Sequence, residues 1–161
     1  MPPIDAGFIL KLCTALGCGL VAGVFFAFST FVMQALGQQP PAQGIVTMQS
    51  INVTVLNPWF MGVLFDTAIG CLVLVITSLI KGNQPSARYL LIGSLLYLIG
   101  TILVTIAFNV PLNNALAAVR PNSAEGATLW AKYLTNWTLW NHVRTVAALA
   151  AAALLTISLN P

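Results

Sequence analysis

The sequence predicts an all-α integral membrane four-helix bundle, with a short amphipathic helix between spans 1 and 2 and an extended fourth helix. Three observations predict it. The 161-residue chain is only 6% charged, whereas a surface facing water carries about a quarter charged residues. No formal charge falls between Lys11 and Asp66, or between Arg88 and Arg120. Finally, residues 12–33, 59–80, 89–110 and 141–159 are apolar on all sides, and each approaches the roughly 20 residues needed to cross a hydrocarbon core of about 30 Å. A water-soluble helical core would need polar helix faces that these segments lack.

The elements follow in order within a single transmembrane domain, 1–161. Span 1 is too long for the apolar region of a signal peptide and lacks a small-x-small cleavage site, so it reads as retained. Its small residues Ala15, Gly19, Gly23 and Ala27 recur every four positions and predict a smooth packing ridge, with the alanine-rich stretch 147–153 of span 4 as the expected neighbour. The same ridge offers a surface for a homo-oligomer. Pro40 and Pro41 end this helix. Residues 43–57 carry Ile45, Met48, Ile51 and Val55 at spacings of three or four, an amphipathic helix that lies at the interface or caps the bundle. Pro58 and the interfacial Trp59 open span 2. Gly82, Asn83 and Pro85 mark a tight turn to span 3, which is expected to end at Pro111. Asn122-Ser-Ala-Glu125 resembles a capping box, and the helix it opens, the extension 123–140, runs into span 4 straight or with a kink. The placement of Lys11, Lys81 and Arg88 puts both termini in the cytoplasm, in the plasma (inner) membrane, by the positive-inside rule.

Several function classes are excluded. Cys13, Cys18 and Cys71 lie in apolar segments without a C-x-x-C pair, which rules out quinone-linked disulfide exchange. The net charge of +3 is scattered, so no nucleic acid is expected as a partner. One histidine and three acids do not make a protein metal centre, and no nucleotide or serine-triad motif occurs. The expected partners are the lipid bilayer and a hydrophobic aromatic small molecule.

Up-down-up-down connectivity gathers polar residues at one end of the bundle: Asn52 after span 1, Asn109 and Asn113 at the end of span 3, and Asn141, His142 and Arg144 at the start of span 4. Asp66 belongs to that end by depth. A carboxylate there is costly, and it either pairs with Arg144 or stays protonated or snorkels to water. Trp130, Tyr133, Trp137, Trp140 and Arg144 alternate at spacings of three and four and share a helical face. That face reads as an interfacial belt or as the wall of a pocket for a flat aromatic ligand. His142 is a structural histidine or, as an ionisable group within the membrane, a functional one.

Phe28-Ser-Thr-Phe-Val-Met33, Met48-Gln-Ser-Ile-Asn52, Asn109-Val-Pro-Leu-Asn113 and Trp130-x-x-Tyr133-x-x-x-Trp137-x-x-Trp140-Asn-His-Val-Arg144, in this order, resemble the anthrone oxygenase-like membrane proteins. The resemblance implies oxidation of an anthrone-type substrate by dioxygen to a quinone, with no obligatory cofactor, neither flavin nor metal. Such chemistry needs a base, an oxyanion stabiliser and a dry aromatic pocket. On this reading His142 takes the proton, and Arg144 with Asn109, Asn113 or Asn141 holds the anionic oxygen. Trp137 and Trp140 stack on the rings, while Tyr133, Asn52 and Asp66 complete the substrate site. The competing readings are a non-enzymatic protein that binds a quinone, pigment or lipid, a small subunit of a larger complex, a haem protein through His142, and a dimeric transporter.

Overall fold

A computed structural model describes residues 5–82 and 84–159; Asn83, expected in the turn between spans 2 and 3, lies outside them. It is all-helical, with no strand among the described residues. Four helices are long and apolar enough to cross a membrane: α1 (Ala6–Gly37), α3 (Pro58–Ile80), α4 (Ser86–Ala118) and α5 (Ala124–Ile157). The short α2 (Pro41–Thr54) lies between α1 and α3. Large apolar side chains such as Leu16, Leu20, Ile69, Leu72, Ile76, Ile99, Leu103, Val146 and Leu149 are exposed around the bundle. Such a surface is stable only against lipid tails, so the chain is a multi-pass membrane protein.

Local chemistry sets the helix ends. Asp5 accepts from the Phe8 amide at 2.7 Å and Asn57 from the Phe60 amide at 3.0 Å, each satisfying an orphan donor of a first turn. Ser123 is the N-cap of α5, accepting from Gly126 N at 2.9 Å. The expected box was one residue out of register, and Glu125 sits in the first turn, where its charge complements the helix dipole. α5 is one unbroken helix of 34 residues, or about 50 Å, so it outreaches the hydrocarbon core. Lys11 Nζ donates to Ser158 O at 3.0 Å, joining the start of α1 to the end of α5 at one end of the bundle.

α4 continues through Pro111 to Ala118, past the expected stop. Two π-helical stretches, Leu96–Leu103 and Thr105–Asn109, precede the proline. The wider turn displaces the carbonyl that the proline ring would strike in a regular helix. A third π segment, Phe28–Val32, interrupts α1.

Packing between α1 and α5 matches the expected pairing, but through a different face. Ala15, Cys18, Ala22, Ala148, Ala151 and Leu155 share one buried cluster, while Gly19 and Gly23 are exposed with open space beyond them. The close approaches lie elsewhere. Gly17 lies under Thr67 and Gly70 under Thr14, so α1 and α3 exchange threonine side chains into glycine notches, and Gly100 seats Ala147 between α4 and α5. α2 closes the opposite end. Its Ile45 and Met48 pack with Leu116, Trp130, Tyr133 and Trp137 in a second cluster, and Gln49 Nε2 donates to Leu116 O at 2.9 Å, a carbonyl left free by the end of α4.

Candidate functional site

The inward face of α5 is the row Trp130, Tyr133, Trp137, Asn141 and Arg144, all buried. Asn141, not Trp140, continues the row. Opposite it, α4 presents Thr101, Thr105, Asn109 and Asn113, spaced by four. In a regular α-helix residues four apart drift by about 40° per step; turns that are partly π-helical cancel the drift and keep the row aligned.

Arg144 is 4% exposed and lies about 20 Å from the Ile157 end of α5, within hydrocarbon depth. Its Nη2 donates to Asn141 Oδ1 at 2.7 Å and its Nη1 to Thr105 Oγ1 at 3.3 Å; its Nε has no partner. The guanidinium carbon sits 4.2 Å from the Phe25 ring centroid and 5.0 Å from that of Trp137. These aromatic faces offset part of the cost of burying the cation. No acid does so. Asp5 caps α1, Glu125 lies in the first turn of α5, and Asp66 faces an outer groove of α1 and α3 beside Cys13 and Val63. Of the alternatives for Asp66, the pair with Arg144 is therefore not formed, and the side chain is exposed. Asp66 falls on the α3 face opposite Leu64, which faces inward.

Asn141 is held by α1. Its Nδ2 donates to Phe25 O and to Ser29 Oγ, both at 2.7 Å, at the π segment that begins with Phe28. Both amide hydrogens are spent, so Oδ1 must face Arg144. Asn113 Oδ1 accepts from Tyr133 Oη at 2.7 Å and Trp137 Nε1 at 2.8 Å. Its oxygen is saturated, and its Nδ2 donor is what it offers the interior.

These residues border a cavity of about 240 Å³ lined by Arg144, Thr105, Asn113, Asn52 and Trp137 and otherwise by apolar side chains, among them Phe25, Phe28, Met48, Phe60 and Leu64. The polar lining thus carries N–H donors at separate points, Arg144 and Asn113, within an apolar wall. A flat apolar molecule with acceptor oxygens at both ends matches that pattern.

Of the residues expected at the site, Arg144, Asn52, Asn113 and Trp137 line this cavity, and Asn141 and Tyr133 stand behind it as hydrogen-bond supports. Asn109 is buried beside it and donates to Trp137 O at 3.2 Å. Asp66, His142 and Trp140 are not brought to it. Trp140 instead stacks on Phe108, ring centroids 3.6 Å apart, on an outer seam between α4 and α5. His142 is exposed on the outward face, because one helical residue turns a side chain by about 100°. His142→Ala is accordingly expected to leave ligand binding and any turnover within about threefold, measured on the protein in vesicles. Thr105, Ser29, Phe25 and Phe28 were not foreseen around the cavity; Thr105 stands four residues before Asn109, a spacing that aligns the two only because the turns there are partly π-helical.

A family model described as anthrone oxygenase matches residues 57–154, more than half of the 161-residue chain. The chain belongs to the anthrone oxygenase family. The matched residues take in α3, α4 and α5 up to Leu154, and so Asn109, Asn113, Trp137, Asn141 and Arg144 of the site. No curated protein and no solved structure matches the chain.

Proposed function

We propose that the cavity binds an anthrone-type aromatic and promotes its oxidation by dioxygen to the quinone. The observation that carries this reading is the buried Arg144, whose partners are neutral oxygens, at the wall of an aromatic cavity. An anthrone that loses a methylene proton becomes an enolate with its charge on oxygen. A preorganised guanidinium in a water-poor site stabilises that oxygen far more than water does. The enolate is electron-rich enough to reduce dioxygen. One oxygen atom bonds to the former methylene carbon as a hydroperoxide, which then loses water to leave the second carbonyl. The balance is one anthrone and one dioxygen giving one quinone and one water.

Arg144 holds the developing oxyanion, Asn113 donates to the oxygen that forms on the former methylene carbon opposite it, and Phe25, Phe28 and Trp137 border the rings. Since His142 faces outward, the proton goes to water, and the rate gain comes from acidifying the bound substrate. The test is oxygen uptake and quinone absorbance with anthrone and the purified protein in vesicles. Uptake above the protein-free rate, with equal moles of quinone formed, is the expected result; a rate equal to the protein-free control sinks the reading.

A binding-only role draws on one specific observation: none of the described residues lining the cavity is a carboxylate or an imidazole. It predicts saturable binding of a quinone with no oxygen uptake from the anthrone.

A further inference from the structure

The cavity opens sideways. Some of the residues lining it also lie on the outer surface of the bundle: Leu56 is 65%, Phe65 51% and Ile106 60% exposed. α3 packs along α4 as far as Leu103; beyond it the two helices part, and Phe65 and Ile106 frame the gap. On the other route, towards the end of the bundle, α2 forms a cover. Met48, Ile51 and Asn52 line the cavity from that side, and Gln49 fastens the cover to the end of α4. Phe65 lies about 9 Å along α3 from Trp59, which is 86% exposed at the start of that helix. A tryptophan so placed sits at headgroup level, so the gap faces hydrocarbon.

We propose that the cavity takes its ligand directly from the bilayer interior, between α3 and α4, as an uncharged, lipid-soluble aromatic with acceptor oxygens at both ends. This rests on the reading of the cavity as the ligand site. Charged molecules are excluded by the route, since an ion in hydrocarbon is costly, and the donors at Arg144 and Asn113 select for oxygen acceptors once the molecule is inside. Leu56, Phe65 and Ile106 are then residues of passage: they set how fast a ligand comes and goes.

The experiment uses the full chain in phosphatidylcholine vesicles and 1,8-dihydroxyanthraquinone as the probe, with binding followed by stopped flow through the probe's own emission. The association rate is expected to follow the probe-to-lipid ratio when that ratio is changed at constant aqueous concentration by altering how strongly the bilayer takes up the probe, as added cholesterol does. Ile106→Trp, which narrows the gap, is expected to slow both association and release about tenfold, while Leu72→Trp, equally lipid-facing but remote, changes neither. Should Ile106→Trp fail to fold, Phe65→Ala widens the same gap and is expected to speed both steps. A rate that stays the same at constant aqueous concentration while the probe-to-lipid ratio changes, or gap variants indistinguishable from Leu72→Trp, overturns the proposal. Absence of saturable binding by the unaltered protein overturns instead the reading of the cavity as a ligand site.

Discussion

Arg144→Met is expected to abolish turnover of an anthrone while leaving the fold about as stable as before. Removing one donor to an oxyanion costs about a hundredfold or more in rate when the donor is preorganised. The stability half of the prediction has a separate cause. Arg144 is buried without an acid, and its charge has given up water for two neutral oxygens and two aromatic faces. A side chain of similar length without charge removes that desolvation cost, which offsets the roughly 1–3 kcal/mol of leaving Asn141 Oδ1 without a donor. Steady-state oxygen uptake and thermal unfolding of the same preparation check both halves. A purely structural arginine would show the reverse: a lower melting temperature and turnover that falls only with the folded fraction.

Asn141→Asp is the second large effect. Asn141 now gives Arg144 an acceptor without a charge, because its two hydrogens are committed to Phe25 O and Ser29 Oγ. The introduced carboxylate would still accept from Nη2, and from the Ser29 hydroxyl, but it has no hydrogen for the Phe25 carbonyl, and it would cancel the positive charge that faces the cavity. Affinity for an acidic hydroxyanthraquinone is expected to fall by about tenfold or more, or roughly 1.4 kcal/mol. Asn141→Ala serves as the comparison. It leaves the Phe25 carbonyl and Arg144 without a partner, at a cost of about 1–3 kcal/mol in stability. Titration of both variants with the same ligand, beside their melting temperatures, separates charge from packing. An aspartate variant that binds as tightly as the unaltered protein would remove Arg144 from ligand recognition.

The fold was legible because lipid makes a crude demand: charge must be absent over long stretches, and here the uncharged gaps can be read directly. Helix phase was harder. In water an apolar stripe marks the core, but in a bilayer the outward face is as apolar as the inward one, so hydrophobic periodicity does not fix which side a residue takes. Small and polar residues carry the signal instead. On α3 the buried row Leu64, Thr67, Cys71, Leu74 and Ser78 was present in the sequence and turns Asp66 outward. On α5 the choice lay between Trp140 and Asn141 as the continuation from Trp137, and the aromatic run favoured the wrong one; His142 was misplaced with it. Arg144, Asn113 and Trp137 could be placed on the inward side because a cation, an amide and an indole at one end of a bundle have few uses facing lipid, and all three line the cavity. The π turns had no visible signature, and with them went the alignment of Thr105 with Asn109.

Those widened turns make the site tolerate a change in residue count. Each π turn amounts to one residue more than an α-helix requires, and deleting a residue inside one of the two π segments between Leu96 and Asn109 would let that turn rewind as regular helix. The part of α4 beyond the rewound turn would keep its orientation, with Asn113 still beside Trp137, whereas a deletion in the regular helix between Asn109 and Asn113 would swing Asn113 by about 100° and leave the indole N–H without an acceptor. Chain length in this stretch is thus a criterion for comparing family members: one that is a single residue shorter within a π segment should have lost that widened turn and kept the Asn113 donor.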